Sequence, residues 1–276
     1  VTNLHVEVFG SGEPAVLVHG SFGWGLDTFP RQVELADSYA IHVVDRAVYG
    51  DSPAIGRIGW ETDMQDIAAI LDDLGPAHVV GQSYGAVVAL LAAGLRPECV
   101  RSLVVIEPPL FGVASHDQTT ASLAQSLRLL ADQAETMDTA GYVAAWAAIV
   151  MNWDQEKVRS WSAAWSDRDW AAAESSRLER SPVDAPVAFD VLSALAVPKV
   201  LAVGGWPEDL TAARHVGRAF RVVAETIAAR IGADVVTFDR STHNPQLQQP
   251  ESFNELLRRV WAQPSDKRLA PDHAPA

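Results

Sequence analysis

Seven short apolar runs, at 6–9, 15–18, 41–44, 78–80, 103–106, 200–203 and 235–238, alternate with stretches of helical periodicity. Runs such as 103–106 (Leu-Val-Val-Ile) have no polar face, which suits strands covered on both sides. Between the runs, residues 28–35, 62–74, 84–95, 210–231 and 251–261 carry apolar side chains three to four positions apart, the spacing of one helical face. A helix between most successive strands makes neighbouring strands parallel. The spacing therefore predicts an α/β fold, a mostly parallel sheet with helices on both faces. At 276 residues the chain is long enough to bury a substantial core.

One stretch departs from the alternation. Residues 110–183 contain no convincing strand, and helical periodicity runs through 122–134, 140–151, 155–165 and 169–180. This predicts an all-helical insertion between two halves of a core formed by 1–109 and 184–262, followed by a Pro-bearing tail at 263–276. The insertion holds Trp146, Trp153, Trp161, Trp165 and Trp170. Helix packing accounts for most of them, and a pocket against the main domain would use the rest as apolar wall.

Charge and composition exclude several functions. Net charge is −14, against the basic footprint needed for a nucleic-acid backbone or an anionic membrane. The single cysteine, Cys99, allows no intrachain disulfide and no cysteine-based metal centre. No apolar run is long enough to span a bilayer, and no basic-then-apolar leader opens the sequence. The chain begins at Val1 without an initiator Met, so an upstream segment is expected to have been trimmed. A cytoplasmic protein, monomeric or homodimeric, is expected, with no cofactor and no metal.

The strongest chemical motif is Gly81-Gln82-Ser83-Tyr84-Gly85, placed between the strand 77–80 and the helix 86–95. So sharp a strand-to-helix turn strains its central residue and holds the Ser83 hydroxyl above the sheet's carboxyl edge, at a helix N-terminus. A serine hydroxyl needs an adjacent base. Of eight histidines, His243 is the candidate, in the loop leaving the last strand and therefore on the same rim. His5, His42 and His78 sit in or beside strands, His116 and His215 on helical segments, and His273 in the tail.

The base in turn needs a carboxylate to fix its tautomer. Glu107 ends the apolar strand before Pro108 and Pro109, a costly place for a charge without a partner. Asp209 and Glu208, in the turn after strand 200–203, are the alternatives. An oxyanion hole needs backbone N–H groups. Tyr84 offers one, and Gly20 or Ser21 offers the second from His19-Gly20-Ser21-Phe22-Gly23-Trp24-Gly25. His19 is expected to hold that loop, and Phe22 and Trp24 are candidates for the substrate-pocket wall.

These residues resemble the α/β-hydrolase fold family. The resemblance runs through His19-Gly20, the turn Asp45-Arg46-Ala47-Val48-Tyr49-Gly50-Asp51-Ser52, the segment 81–85 and His243. It implies a helical cap after the family's sixth strand, where 110–183 falls. Most members carry the acid after the seventh strand; Glu107 is similar to the minority that carry it after the sixth. The zearalenone-type lactonases look similar here, with a Glu before a Pro-containing turn and a Trp-bearing cap. That likeness implies a Ser83–His243–Glu107 triad and a cap tryptophan, Trp165, at the substrate. His19 departs from the acidic residue of those lactonases, and this cap is longer.

The expected activity is serine-dependent hydrolysis of a carboxylic ester or lactone of a fairly large apolar substrate, with a zearalenone-like macrolactone as the specific candidate. The alternatives are C–C bond hydrolysis or peracid-type chemistry on the same triad, and a small-ligand receptor built on the same fold. Asp at the nucleophile position, which dehalogenation and epoxide opening use, is absent: the residue is Ser83.

Overall fold

The computed structural model describes residues 3–53 and 58–263. Most of the tail anticipated at 263–276 lies outside them. The strands are β1 (Val6–Phe9), β2 (Glu13–Val18), β3 (Tyr39–Val44), β4 (Ala77–Gln82), β5 (Val100–Ile106), β6 (Lys199–Gly204) and β7 (Asp234–Phe238). They form one seven-stranded sheet in the order β1-β3-β2-β4-β5-β6-β7. β1 runs antiparallel to β3, and every other pairing is parallel.

The helices are α1 (Gly25–Thr28), α2 (Trp60–Leu74), α3 (Tyr84–Leu95), α4 (Gln118–Ala134), α5 (Thr139–Val150), α6 (Gln155–Ser162), α7 (Asp167–Leu178), α8 (Phe189–Ala194), α9 (Arg214–Ile231), α10 (Pro245–Gln248) and α11 (Pro250–Trp261). Successive strand residues point to opposite faces, so each central strand feeds two cores. Val16, Val18, Val79, Val105, Leu201 and Val203 pack with α2, α3 and α9 on one face. Ala15, Leu17, Val80, Val104, Ile106 and Ala202 pack with Phe253, Leu256, Leu257 and Val260 of α11 on the other.

The segment between β5 and β6 is helical throughout the insertion, from α4 to α7. In chain order it follows the fifth strand rather than a sixth. A separate apolar cluster forms there around Val143, Ala147, Val158 and Ala173, with five tryptophans and Phe22 packed against it. Helix N-caps are explicit in the sequence: Asp117, Asp138, Asp154 and Ser166 each accept from a backbone N–H of the first turn.

Two expectations need correction, and one helix was not anticipated. The helix expected at 28–35 is broken into α1 and a 3₁₀ turn at Gln32–Asp37, because Pro30 denies the helix an N–H donor and restricts Phe29. The helix expected from 210 starts at Arg214; Leu210 is exposed and belongs to a turn. The short helix α8 has no periodic signal long enough to detect.

The topology decides where chemistry can sit. β4, β5, β6 and β7 are consecutive neighbours, so the residues after their carboxyl ends form one rim. Ser83 follows β4, Glu107 follows β5, Trp206 follows β6 and His243 follows β7. The loop after β2 flanks β4 from the other side. No described helix is long and apolar enough to cross a membrane.

Candidate active site

Ser83 has φ 54° and ψ −119°, a left-handed conformation costly for any side chain. The turn survives because the residues two positions away on either side, Gly81 and Gly85, lack side chains. A Cβ on Gly81 would lie 2.3 Å from the Gly85 carbonyl oxygen, and one on Gly85 would lie 2.2 Å from that of Val18. The Ser83 N–H donates to the Ile106 carbonyl at 2.8 Å, which fixes the turn to β5. Tyr84 opens α3, and the first N–H groups of a helix have no intrahelical acceptor.

Glu107 is completely buried and also has positive φ, 43°. Its Oε1 accepts from the Gly204 N–H and from Trp206 Nε1, both at 2.8 Å. Its Oε2 lies 2.6 Å from His243 Nδ1. Three donors thus surround a carboxylate that would be very unfavourable if left unpaired. A carboxylate accepts only, so Nδ1 carries the ring proton and a neutral imidazole keeps Nε2 as an acceptor. The His243 ring lies nearly parallel to Phe220, with centroids 4.8 Å apart.

The alternative acids are placed elsewhere. Glu208 pairs with Arg214, and Asp209 Oδ2 lies 2.7 Å from Arg240 Nη2; all four side chains are mostly exposed. Neither carboxylate is turned to the histidine.

Ser83 and His243 line one cavity of about 380 Å³, with Ser21, Phe22, Tyr84 and Trp206. The two loops meet at a side-chain bridge, Gln82 Nε2 donating to Asn244 Oδ1 at 3.0 Å. Leu123, Leu127 and Leu130 of α4, with Trp146, Trp153 and Trp161, extend the wall with apolar surface. Two expected wall residues lie outside this lining. Trp24 stacks under the Arg168 guanidinium, 4.5 Å from its ring centre. Trp165 is occupied edge-on by Trp161 and Trp170, with centroids 4.6 and 4.9 Å away.

The loop after β2 presses against the elbow. A Cβ on Gly20 would lie 2.9 Å from the Ser83 Cβ and 2.3 Å from Gln82 Oε1, so only glycine permits this approach. His19 is fully buried. Its Nε2 accepts from the Arg46 N–H at 2.9 Å, and its Nδ1 lies 2.6 Å from the Gly20 carbonyl. Burial pushes its pKa far down, and the Arg46 charge pushes the same way. It is a neutral brace for the loop.

Beneath the loop, Arg46 is buried between two carboxylates, with Asp63 and Glu179 each at 2.6 Å. Burial raises the Asp63 pKa to about 6 against the opposing pull of Arg46. His5, Asp45 and Asp51 lie close enough together to suggest a cation, but Asp45 is engaged by backbone: Oδ1 accepts from Gly25 N–H at 2.7 Å and Oδ2 from Asp51 N–H at 2.9 Å.

Trp206, Phe220 and Glu179 were not anticipated at the site, and Arg46 was marked only as part of the family-like turn 45–52. Trp206 stands directly after Gly204-Gly205 at a strand end, a rim position that could have marked it, although it lacks the unpartnered charge that marked Glu107. Glu179 carried no such signal, because its partners are 133 and 158 residues away in sequence.

Comparison with known proteins gives the same frame. A model of the alpha/beta hydrolase family matches residues 15–256. A pimeloyl-[acyl-carrier protein] methyl ester esterase of Chromobacterium violaceum is 38% identical over 107 residues, which span 38% of this chain but only 40% of that protein. The esterase of the same name from Aeromonas salmonicida aligns with 93% of this chain and 98% of its own length at 26% identity. Among solved structures, an alpha/beta hydrolase from Sphaerobacter thermophilus has a TM-score of 0.66 at 23% identity, covering 92% of this chain and 96% of its own. The putative non-heme bromoperoxidase BpoC of Mycobacterium tuberculosis has a TM-score of 0.65 at 19% identity, covering 95% and 96%. With the family model spanning most of its length, and the strained turn and carboxyl-end rim in place, this chain belongs to the alpha/beta hydrolase family.

Proposed function

We propose that the protein is a serine hydrolase that cleaves a carboxylic ester or lactone of a fairly large apolar substrate. The observation that carries this reading is the buried Glu107–His243 bond on the rim that also carries the strained Ser83. His243 Nε2 takes the Ser83 proton as Oγ attacks the carbonyl carbon. The backbone N–H of Tyr84, with one from the Gly20–Ser21 peptide, stabilises the developing oxyanion. His243 then protonates the leaving alkoxide, and the acyl group stays on Ser83. A water deprotonated by the same imidazole attacks that ester, and the acid leaves with Ser83 reprotonated. With a lactone, the released alcohol remains tethered to the acyl group, so room to swing it aside favours hydrolysis over reclosure. Esterase names among the relatives support the ester class.

The apolar wall from α4 and α5 supports the size of the substrate, and a zearalenone-like macrolactone is its specific form. The test is a panel of p-nitrophenyl esters of rising acyl length, beside small and macrocyclic lactones. Each methylene that enters an apolar wall contributes about 0.8 kcal/mol, roughly fourfold. kcat/KM should therefore rise at least about tenfold from acetate to octanoate. A flat or falling profile would contradict the apolar-substrate reading. Cleavage limited to one turnover per chain would favour a ligand receptor instead.

A further inference from the structure

The helical insertion returns to the core through a short segment that grips both proposed oxyanion donors. At its start, Ser176 Oγ accepts the Phe22 N–H at 2.8 Å. One turn on, Glu179 Oε2 accepts from the Ser21 hydroxyl at 2.5 Å. Next, the Arg180 carbonyl accepts from the Tyr84 hydroxyl at 3.0 Å. Glu179 lies directly after α7, and its side chain is 5% exposed. Nothing in the hydrolytic cycle uses it, yet it is held as firmly as a catalytic group.

Its second oxygen explains more. Glu179 Oε1 receives Arg46 Nη2 at 2.6 Å, and the same nitrogen donates to the Gly20 carbonyl at 3.0 Å. Arg46 Nε adds a bond to the His19 carbonyl at 3.0 Å. The Gly20 carbonyl and the Ser21 N–H belong to one planar trans peptide and point in opposite directions. Holding that carbonyl on the Arg46 side turns the Ser21 N–H the other way, and Ser21 lines the cavity beside Ser83.

We infer that Glu179 is a positioning residue. Through Arg46 and the Ser21 hydroxyl it fixes the Gly20–Ser21 peptide so that Ser21, rather than Gly20, supplies the second oxyanion donor, and it makes the donor's geometry depend on how the insertion is seated. This rests on the hydrolase reading above.

The test uses Ser21→Ala, Glu179→Ala and Glu179→Gln, assayed with a p-nitrophenyl ester and with two inhibitors of equal chain length. A trifluoromethyl ketone forms a tetrahedral oxyanion on the serine, and the corresponding methyl ketone reports ground-state binding. Loss of a whole oxyanion donor costs about 10²–10³ in rate, so a mispositioned one should cost about 10- to 100-fold. Glu179→Ala should lower kcat by that amount with KM within about threefold, and weaken the trifluoromethyl ketone by the same factor while the methyl ketone binds as before. Ser21→Ala should show a smaller loss of the same kind, and Glu179→Gln should recover part of it. Ser21→Ala leaves the Arg46 ion pairs in place, so it decides the matter if Glu179→Ala does not fold. Unchanged kcat in Ser21→Ala, or a kcat loss with undiminished trifluoromethyl ketone affinity, would overturn the inference. Full turnover by Ser83→Ala would instead overturn the hydrolase reading on which it rests.

Discussion

Ser83→Ala is expected to lower kcat/KM for any ester substrate by at least about 10⁴-fold, while the fold and ligand affinity are retained. In the proposed cycle the hydroxyl oxygen is the atom that forms and breaks the acyl bond, and alanine has no oxygen to take its place. Ser83 has its side chain at the cavity, so removing one oxygen leaves the packing of β4 and α3 as it was. Alanine would occupy the same left-handed conformation that serine does, with no added clash. A steady-state assay against p-nitrophenyl butyrate, with chemical denaturation as the control for folding, separates the two effects. Activity within tenfold of the parent would mean that Ser83 is not the nucleophile.

The second large effect falls on Glu107. Its removal leaves His243 Nδ1, the Gly204 N–H and Trp206 Nε1 without an acceptor. The imidazole then loses both the partner that holds its tautomer and the charge that stabilises its protonated form. kcat should fall by about 10³–10⁴-fold in Glu107→Ala. Stability should fall as well, because buried donors without a partner cost about 1–3 kcal/mol each. Asp209→Ala should leave kcat within about twofold, since its carboxylate faces solvent and pairs with Arg240. The reverse pattern, with Asp209→Ala inactive and Glu107→Ala active, would reassign the acid.

Much of this site was legible because its elements are local. A glycine-flanked serine between a strand and a helix, a lone carboxylate closing an apolar strand, and a histidine after the last strand are each defined within a few residues. Sheet order then does the rest, since neighbouring parallel strands bring their carboxyl ends together. The sequence favours Glu107 as a lone carboxylate closing an apolar strand but leaves Asp209 as an alternative, because both follow a strand on one rim. What distinguishes them is side-chain partners: one faces a histidine, and the other an arginine at the surface. The insertion was harder to read. Its helices follow from periodicity and aspartate caps, but which tryptophans face the cavity depends on how the helices pack. Trp161, in the last turn of α6, and Trp165, three residues beyond its end, are in contact with each other, and of the two only Trp161 reaches the lining. The Arg46–Glu179 contact joins segments more than a hundred residues apart, and no sequence spacing encodes it.

The central claim is that Ser83 is a nucleophile activated by His243. An alkyl fluorophosphonate tests it directly, because a serine Oγ activated by a base displaces fluoride and forms a stable Oγ–phosphorus bond. Intact-mass spectrometry followed by peptide mapping should find one adduct per chain, on the peptide that contains Ser83. Labelling should be absent in Ser83→Ala and slowed by at least about 10²-fold in His243→Ala. An adduct on any other residue, or labelling at the parent rate without the imidazole, would contradict the account.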